Sequence, residues 1–295
     1  MRGLWLMAAM LGAVSAAQAA DMPDLPVLRG TFTDGLSKTT HNWDGWYVGG
    51  DVGYSSASVD FSQSIVGLTN FILRDSVLQQ PTANWSLLKK TATQGANFGA
   101  FVGRNWQWYD AILGLEVNYS YFNTLATSTQ SSNSLMIVNP PGESRPAGVT
   151  NNYRVTLTGA AAAQVKDMVT FRGRAGWDGG DFMPYIFSGL AVGRMDVSRS
   201  VTSNVTLRQD STVTDAFGNV ITITGTTFAV PAQSQTQSQH RTNNFVPGWT
   251  AGLGFEYCLW AGLFARAEWE YVKFSPVMNT NVTLNNVRAG LGYKF

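Results

Sequence analysis

From Val287 onward the stretch 284–295, LNNVRAGLGYKF, alternates without exception: Val287, Ala289, Leu291, Tyr293 and Phe295 are apolar or aromatic, with Arg288, Gly290, Gly292 and Lys294 between them. A period of two is that of a β-strand with unlike faces. The same rhythm recurs upstream. In 46–54, Trp46, Val48, Val52 and Tyr54 share one face and Asp51 sits on the other. In 113–121, Leu113, Leu115, Val117, Tyr119 and Tyr121 alternate with Glu116, Asn118 and two small residues. In 169–177, Val169, Phe171 and Trp177 oppose Arg172 and Arg174. In 249–257, Trp249, Leu253, Phe255 and Tyr257 oppose Glu256. In 263–271, Leu263, Trp269 and Tyr271 oppose Arg266, Glu268 and Glu270. A segment over 95–105 carries Phe98, Ala100 and Val102 on its apolar face. In 185–197 the faces separate less cleanly; Arg194 and Asp196 on one side assign Tyr185, Phe187, Ala191, Met195 and Val197 to the outward side.

Eight such segments leave connections of two kinds. Those at 106–110, 178–183 and 258–261 are short, whereas 61–93, 123–164 and 198–243 are long and rich in Ser, Thr, Asn and Gln. An even strand count with short turns at one end and long loops at the other is the asymmetry of an outer-membrane barrel, and closure satisfies every backbone group that lipid would leave unpaired. The expectation is an all-β, eight-stranded antiparallel transmembrane β-barrel over 43–295, with short periplasmic turns, long extracellular loops and both termini periplasmic. Aromatic belts support it. Trp43, Trp46, Trp106, Trp108, Tyr109, Trp177, Trp260 and Phe295 mark the short-turn end, and Tyr54, Tyr119, Tyr121, Trp269, Tyr271 and Phe274 the other. Trp46 to Tyr54, tilted as barrel strands are, rises on the order of 20 Å. In the third long connection, Gly218-Asn219 between apolar runs reads as a hairpin that extends above the membrane.

The amino terminus fits export. Residues 1–19 read as a signal peptide, with Arg2, an apolar run over 4–14 and Ala17-Gln18-Ala19 for cleavage. Residues 20–42 are polar and aperiodic, a lead-in to the barrel. Charged residues are only 13% of the chain and the net charge is +1, which gives no electrostatic footprint for nucleic acid. The single cysteine excludes an internal disulfide.

Little in the sequence suggests catalysis or a cofactor. His41 falls in the lead-in, and His240 has Ser238 and Arg241 nearby but no adjacent carboxylate to orient it. No metal-ligand spacing is present. The inward positions instead collect charges of both signs: Asp51, Glu116, Glu256, Glu268 and Glu270 against Arg172, Arg174, Arg194, Arg266, Arg288 and Lys294. An eight-stranded barrel is only wide enough for its side chains to fill it, so these predict an ion-paired plug rather than a charged pore. Crowding within the lumen accounts for the inward glycines.

Ala20-Asp21-Met22-Pro23, Trp43-x-Gly45-x-Tyr47-Val48-Gly49-Gly50-x-x-Gly53-Tyr54, Arg172-Gly173-Arg174-x-Gly176, Pro184-Tyr185 and Gly290-x-Gly292-Tyr293-x-Phe295 together resemble the small outer-membrane β-barrel family of alphaproteobacterial immunogenic surface proteins and RopB. The likeness covers strands and turns, about half the mature chain, and leaves the loops unmatched. Trp46 stands where that family more often has Phe, and Arg104 where it often has Tyr. The resemblance implies assembly by the outer-membrane insertion machinery, which reads a terminal aromatic such as Phe295. It brings no catalytic residues. The resulting expectation is a non-enzymatic surface protein in outer-membrane lipid, supporting envelope integrity and meeting a host or ligand through loops separable from the fold. The alternative is a narrow porin-like channel or small-ligand uptake protein.

Overall fold

The computed structural model describes residues 41–123 and 125–295; the signal-peptide reading and nearly all of the lead-in lie outside them. Among the described residues there are eleven strands in one sheet. Eight form the ring: β1 (Gly45–Asp60), β2 (Lys90–Trp108), β3 (Ala111–Phe122), β5 (Val149–Trp177), β6 (Phe182–Thr214), β9 (Thr236–Trp260), β10 (Leu263–Phe274) and β11 (Asn281–Lys294). Each is antiparallel to its neighbours, and β11 returns to β1 with Tyr47 opposite Lys294 and Asp60 opposite Asn281. The sheet therefore closes on itself and, over this ring, leaves no edge for lipid to meet. No described helix is long and apolar enough to cross a membrane.

The remaining elements build outward from the long-connection end. β4 (Ala126–Val138) takes over from β3 as the partner of β5, while β7 (Val220–Ile223) and β8 (Thr227–Ala229) pair with the distal part of β6. Much of what reads as loop is thus β-structure, including the expected ribbon. It turns at 215–219, where the Asp215 carboxylate accepts from the backbone N–H groups of Phe217 and Asn219. The hydrogen bond from the Asn219 side chain, with those backbone donors, holds the Asp215 carboxyl below the usual range. Between Leu190, opposite Trp249, and Thr214, the tilted β6 climbs on the order of 60 Å.

The expected faces hold in every ring strand but one. β6 is turned the other way: Tyr185, Phe187, Ala191, Met195 and Val197 are buried inside, and Ile186 and Leu190 face out. The two rings are drawn in by arginines, since Arg174 lies 3.9 Å from the Tyr185 ring centroid and Arg172 4.5 Å from that of Phe187. Two belt residues also move inside. Trp43 is buried beneath the ring and donates its indole N–H to the Gly180 carbonyl (3.1 Å), and Phe274 is buried at the opposite end.

The first long connection is not a free loop. Helix α1 (Val66–Ile72) and helix α2 (Gln79–Thr82) fold over the open end of the ring. Phe61, Ile65, Leu68, Ile72, Leu73 and Leu78 pack there against Val155, Leu157, Val201, Val205, Val272 and Leu284. Gly159 makes the fit possible, because a Cβ at that position would lie 2.5 Å from the Ile65 side chain.

Candidate functional site

The inward side chains form layers along the barrel axis. At the short-turn end Tyr47, Phe101 and Phe264 meet with ring centroids 6.0–6.3 Å apart. The small inward residues are their sockets: a Cβ on Gly49 would stand 2.3 Å from the Phe101 ring. Crowding, and not room for a ligand, explains this glycine.

Above these rings lies the charged layer, with four arginines and five carboxylates buried. Glu116 accepts from Arg172, from Arg174 (3.1 Å), from Arg266 (2.7 Å) and from the Tyr47 hydroxyl (2.9 Å). Glu256 accepts from Arg174 (2.6 Å) and twice from Arg266 (2.7 and 3.0 Å). Glu268 accepts from Arg288 (2.6 Å), Arg172 (3.1 Å) and the Tyr185 hydroxyl (2.5 Å). Glu270 accepts from Thr250 (2.8 Å) and lies 3.1 Å from Arg288. Asp51 accepts from Asn118 (3.0 Å). Such charges are tolerated away from water only when each finds partners, and the cross-strand register supplies them: Glu116 faces Arg172, Arg266 faces Glu256 and Glu268 faces Arg288.

Two residues expected in this network are elsewhere. Arg194 stands on the outer wall and pairs with Asp167, because the reversed β6 points it away from the lumen. Lys294 sits at the rim, where its ammonium donates to the Asn42 and Asp44 carbonyls. Sequence reasoning missed the hydroxyls of Tyr47 and Tyr185, which complete the coordination of Glu116 and Glu268. The arginines on neighbouring strands, each needing a planar partner, were the available signal.

The layer above is neutral. Asn97 donates to Ser55 (2.6 Å) and to Asn286 (2.7 Å), and Ser120 and Thr170 are fully buried beside them. The apolar cluster under the helices follows. Aromatic, ionic, amide and apolar side chains fill the interior in turn, and Arg288, Tyr47, Phe101, Phe122 and Met168 rank among the largest side chains fully buried in it. The outer wall presents the reverse: Val52, Phe98, Leu115, Phe171, Ile186, Leu253 and Val287 are exposed there as a continuous apolar surface for lipid. At the short-turn rim His41 Nδ1 lies 2.8 Å from an Asp181 carboxylate oxygen. Their neighbour Cys258 lines a hollow of about 370 Å³ with Trp43 and Phe264.

In sequence, the profile of the outer membrane protein beta-barrel domain matches residues 6–295. No curated protein sequence matches the chain. Among solved structures it is similar to Neisserial surface protein A (14% identity, TM-score 0.34, covering 86% of this chain and 100% of that one). It is also similar to Ail, the attachment invasion locus protein of Yersinia pestis, in complex with the heparin analogue sucrose octasulfate (11% identity, TM-score 0.33, covering 85% and 99%). A third is the N-terminal β-barrel domain of Pseudomonas aeruginosa OprF (11% identity, TM-score 0.24, covering 82% and 97%). With that profile spanning nearly the whole sequence and a closed ring of eight antiparallel strands beneath it, the chain belongs to the outer membrane protein β-barrel family.

Proposed function

We infer that this protein is a non-enzymatic surface barrel whose filled interior is a structural strut and whose working parts stand outside the membrane. The observation that carries this reading is the succession of packed layers through the lumen, crossed by ion pairs between side chains no more than 3% exposed. A rigid stave of this kind supports the envelope by cross-linking its own wall, and the ribbon it anchors is placed for contacts with a host or ligand. The short turns and both termini lie on the periplasmic side. Phe295, exposed at the end of β11, is the signal that the insertion machinery reads. The Arg172-Gly173-Arg174 strand and the terminal Gly290-x-Gly292-Tyr293-x-Phe295 favour relationship to the alphaproteobacterial immunogenic surface proteins and RopB.

Planar-bilayer recording tests the reading. Purified barrel gives no steady single-channel current, because the four arginines of the charged layer cannot move aside without breaking buried ion pairs. Large, ion-selective steps would overturn it in favour of a channel.

A further inference from the structure

Above the membrane, the outer face of the β4–β5–β6–β9 extension has an unusual surface. Gln130, Ala160, Ser200 and Ser238 stand side by side across four strands. One row further out are Ser132, Thr158, Thr202 and Thr236. The hydroxyls of Ser132 and Thr158 are 2.9 Å apart, and so are those of Thr202 and Thr236. No side chain in these rows is charged. A solvated sheet face ordinarily carries Lys, Glu or Arg that keeps it soluble and unassociated. Here Ala160 and Ala162 form a low floor between walls of Ser128 and Ser198, and the hollows above them, about 350 and 360 Å³, share those two serines and His240. They run together as one groove along β5.

Its chemistry and its position narrow the occupant. A protein partner would need aromatic or aliphatic anchors, and the groove has none. A polyanion would meet the Asp196 carboxylate in the lower hollow, and Arg199, beside the upper one, points inward and donates to the Ser64 and Met278 carbonyls. Short hydroxyls, amides, the His240 imidazole and, in the lower hollow, the Asp196 carboxylate paired with Lys166, set flat and close to the backbone, match a polyol that offers donors and acceptors at similar spacing. The lower end of the groove, at Gln164, is three positions along β5 from Asp167, which pairs with Tyr121 of the outer aromatic belt. From there to Thr158 the groove climbs on the order of 15 Å. It therefore begins at the headgroup level of the outer leaflet and rises through whatever sugars that leaflet carries.

We propose that this groove binds the neutral oligosaccharide of glycolipid in the surrounding outer leaflet, held upright against the β4–β5–β6–β9 wall. The proposal rests on the outer-membrane surface reading given above. The purified barrel, reconstituted in nanodiscs, is titrated with lipopolysaccharide bearing its neutral core sugars and with the same lipid stripped of sugar. The double variant Ala160→Arg with Ala162→Arg raises the floor at half-exposed outward positions, away from the buried core. The wild type holds the sugar-bearing lipid roughly tenfold more tightly, about 1.4 kcal/mol, and the variant loses that preference. Free core oligosaccharide at equal concentration leaves the lipid bound. Equal binding of both lipids, an unchanged preference in the variant, or full displacement by free oligosaccharide would each overturn the proposal. Failure of the outer-membrane reading shows separately, as loss of the heat-dependent mobility shift of a folded barrel.

Discussion

Glu268, like Glu116, ties three arginines and a tyrosine hydroxyl together. Its replacement, Glu268→Ala, leaves Arg288 with Glu270 and Arg172 with Glu116, but removes the charge that balances them at their closest approach. A buried pair broken from one side costs about 3–5 kcal/mol. Urea titration of the folded barrel in lipid, followed by its heat-dependent mobility, should register that loss. A change within error would mean that water reaches the layer. The grouping of the charges is legible in the sequence, since a strict two-residue period puts those of each strand on one face. The stacking of Arg174 on Tyr185 was not, because alternation says which residues share a face and not which face turns inward. In β6, where both faces carry apolar residues and charge, the charged residues Arg194 and Asp196 suggested the wrong one. The aromatic rings, attracted by cations already inside, decided it.

At the level of elements, the divide between barrel and loop does not fall where composition changes. Ser, Thr and Asn dominate 198–243, yet Val201, Val205 and Leu207 alternate through it and bury their side chains in the apolar cluster or beside it. The same period that identifies the membrane strands was present, masked by hydroxyl residues on the outward face. Likewise Phe61, Ile65, Leu68 and Ile72 follow helical spacing within a segment that reads as polar loop. The expectation of loops separable from the fold is corrected accordingly: replacing 200–239 by a tight turn removes Val201 and Val205 from the core and should abolish the heat-dependent mobility shift. Shortening only the tip, by joining Gln209 to Thr227 through a two-residue turn, removes β7 and residues that are largely exposed. That variant should still assemble, with a stability change within about 0.5 kcal/mol, the usual range for surface alterations. If it fails, β7 is part of the folding unit.

Taken whole, the molecule is two plugs in series, ionic below and apolar above. The helical cap of the apolar one comes from a single connection, so it can be removed independently. Replacing 62–87 by a short glycine-rich linker takes away Ile65, Leu68, Ile72 and Leu78, whose burial contributes about 1.5–3 kcal/mol each. The barrel should lose much of its resistance to urea, while planar bilayers stay silent because the charged layer persists. Currents in that variant would show that the helices are the seal. One last consequence belongs to the seam where β1 meets β11. Ser55 and Asn286, bonded across it, are 231 residues apart in the chain. Contacts so distant are slow to form, because loop closure must precede their reward. The first ring strand also has an unsatisfied edge until β11 arrives to pair with it. β11, which follows the other seven ring strands in sequence, therefore closes the circle, and until it pairs the sheet keeps edges that lipid cannot satisfy.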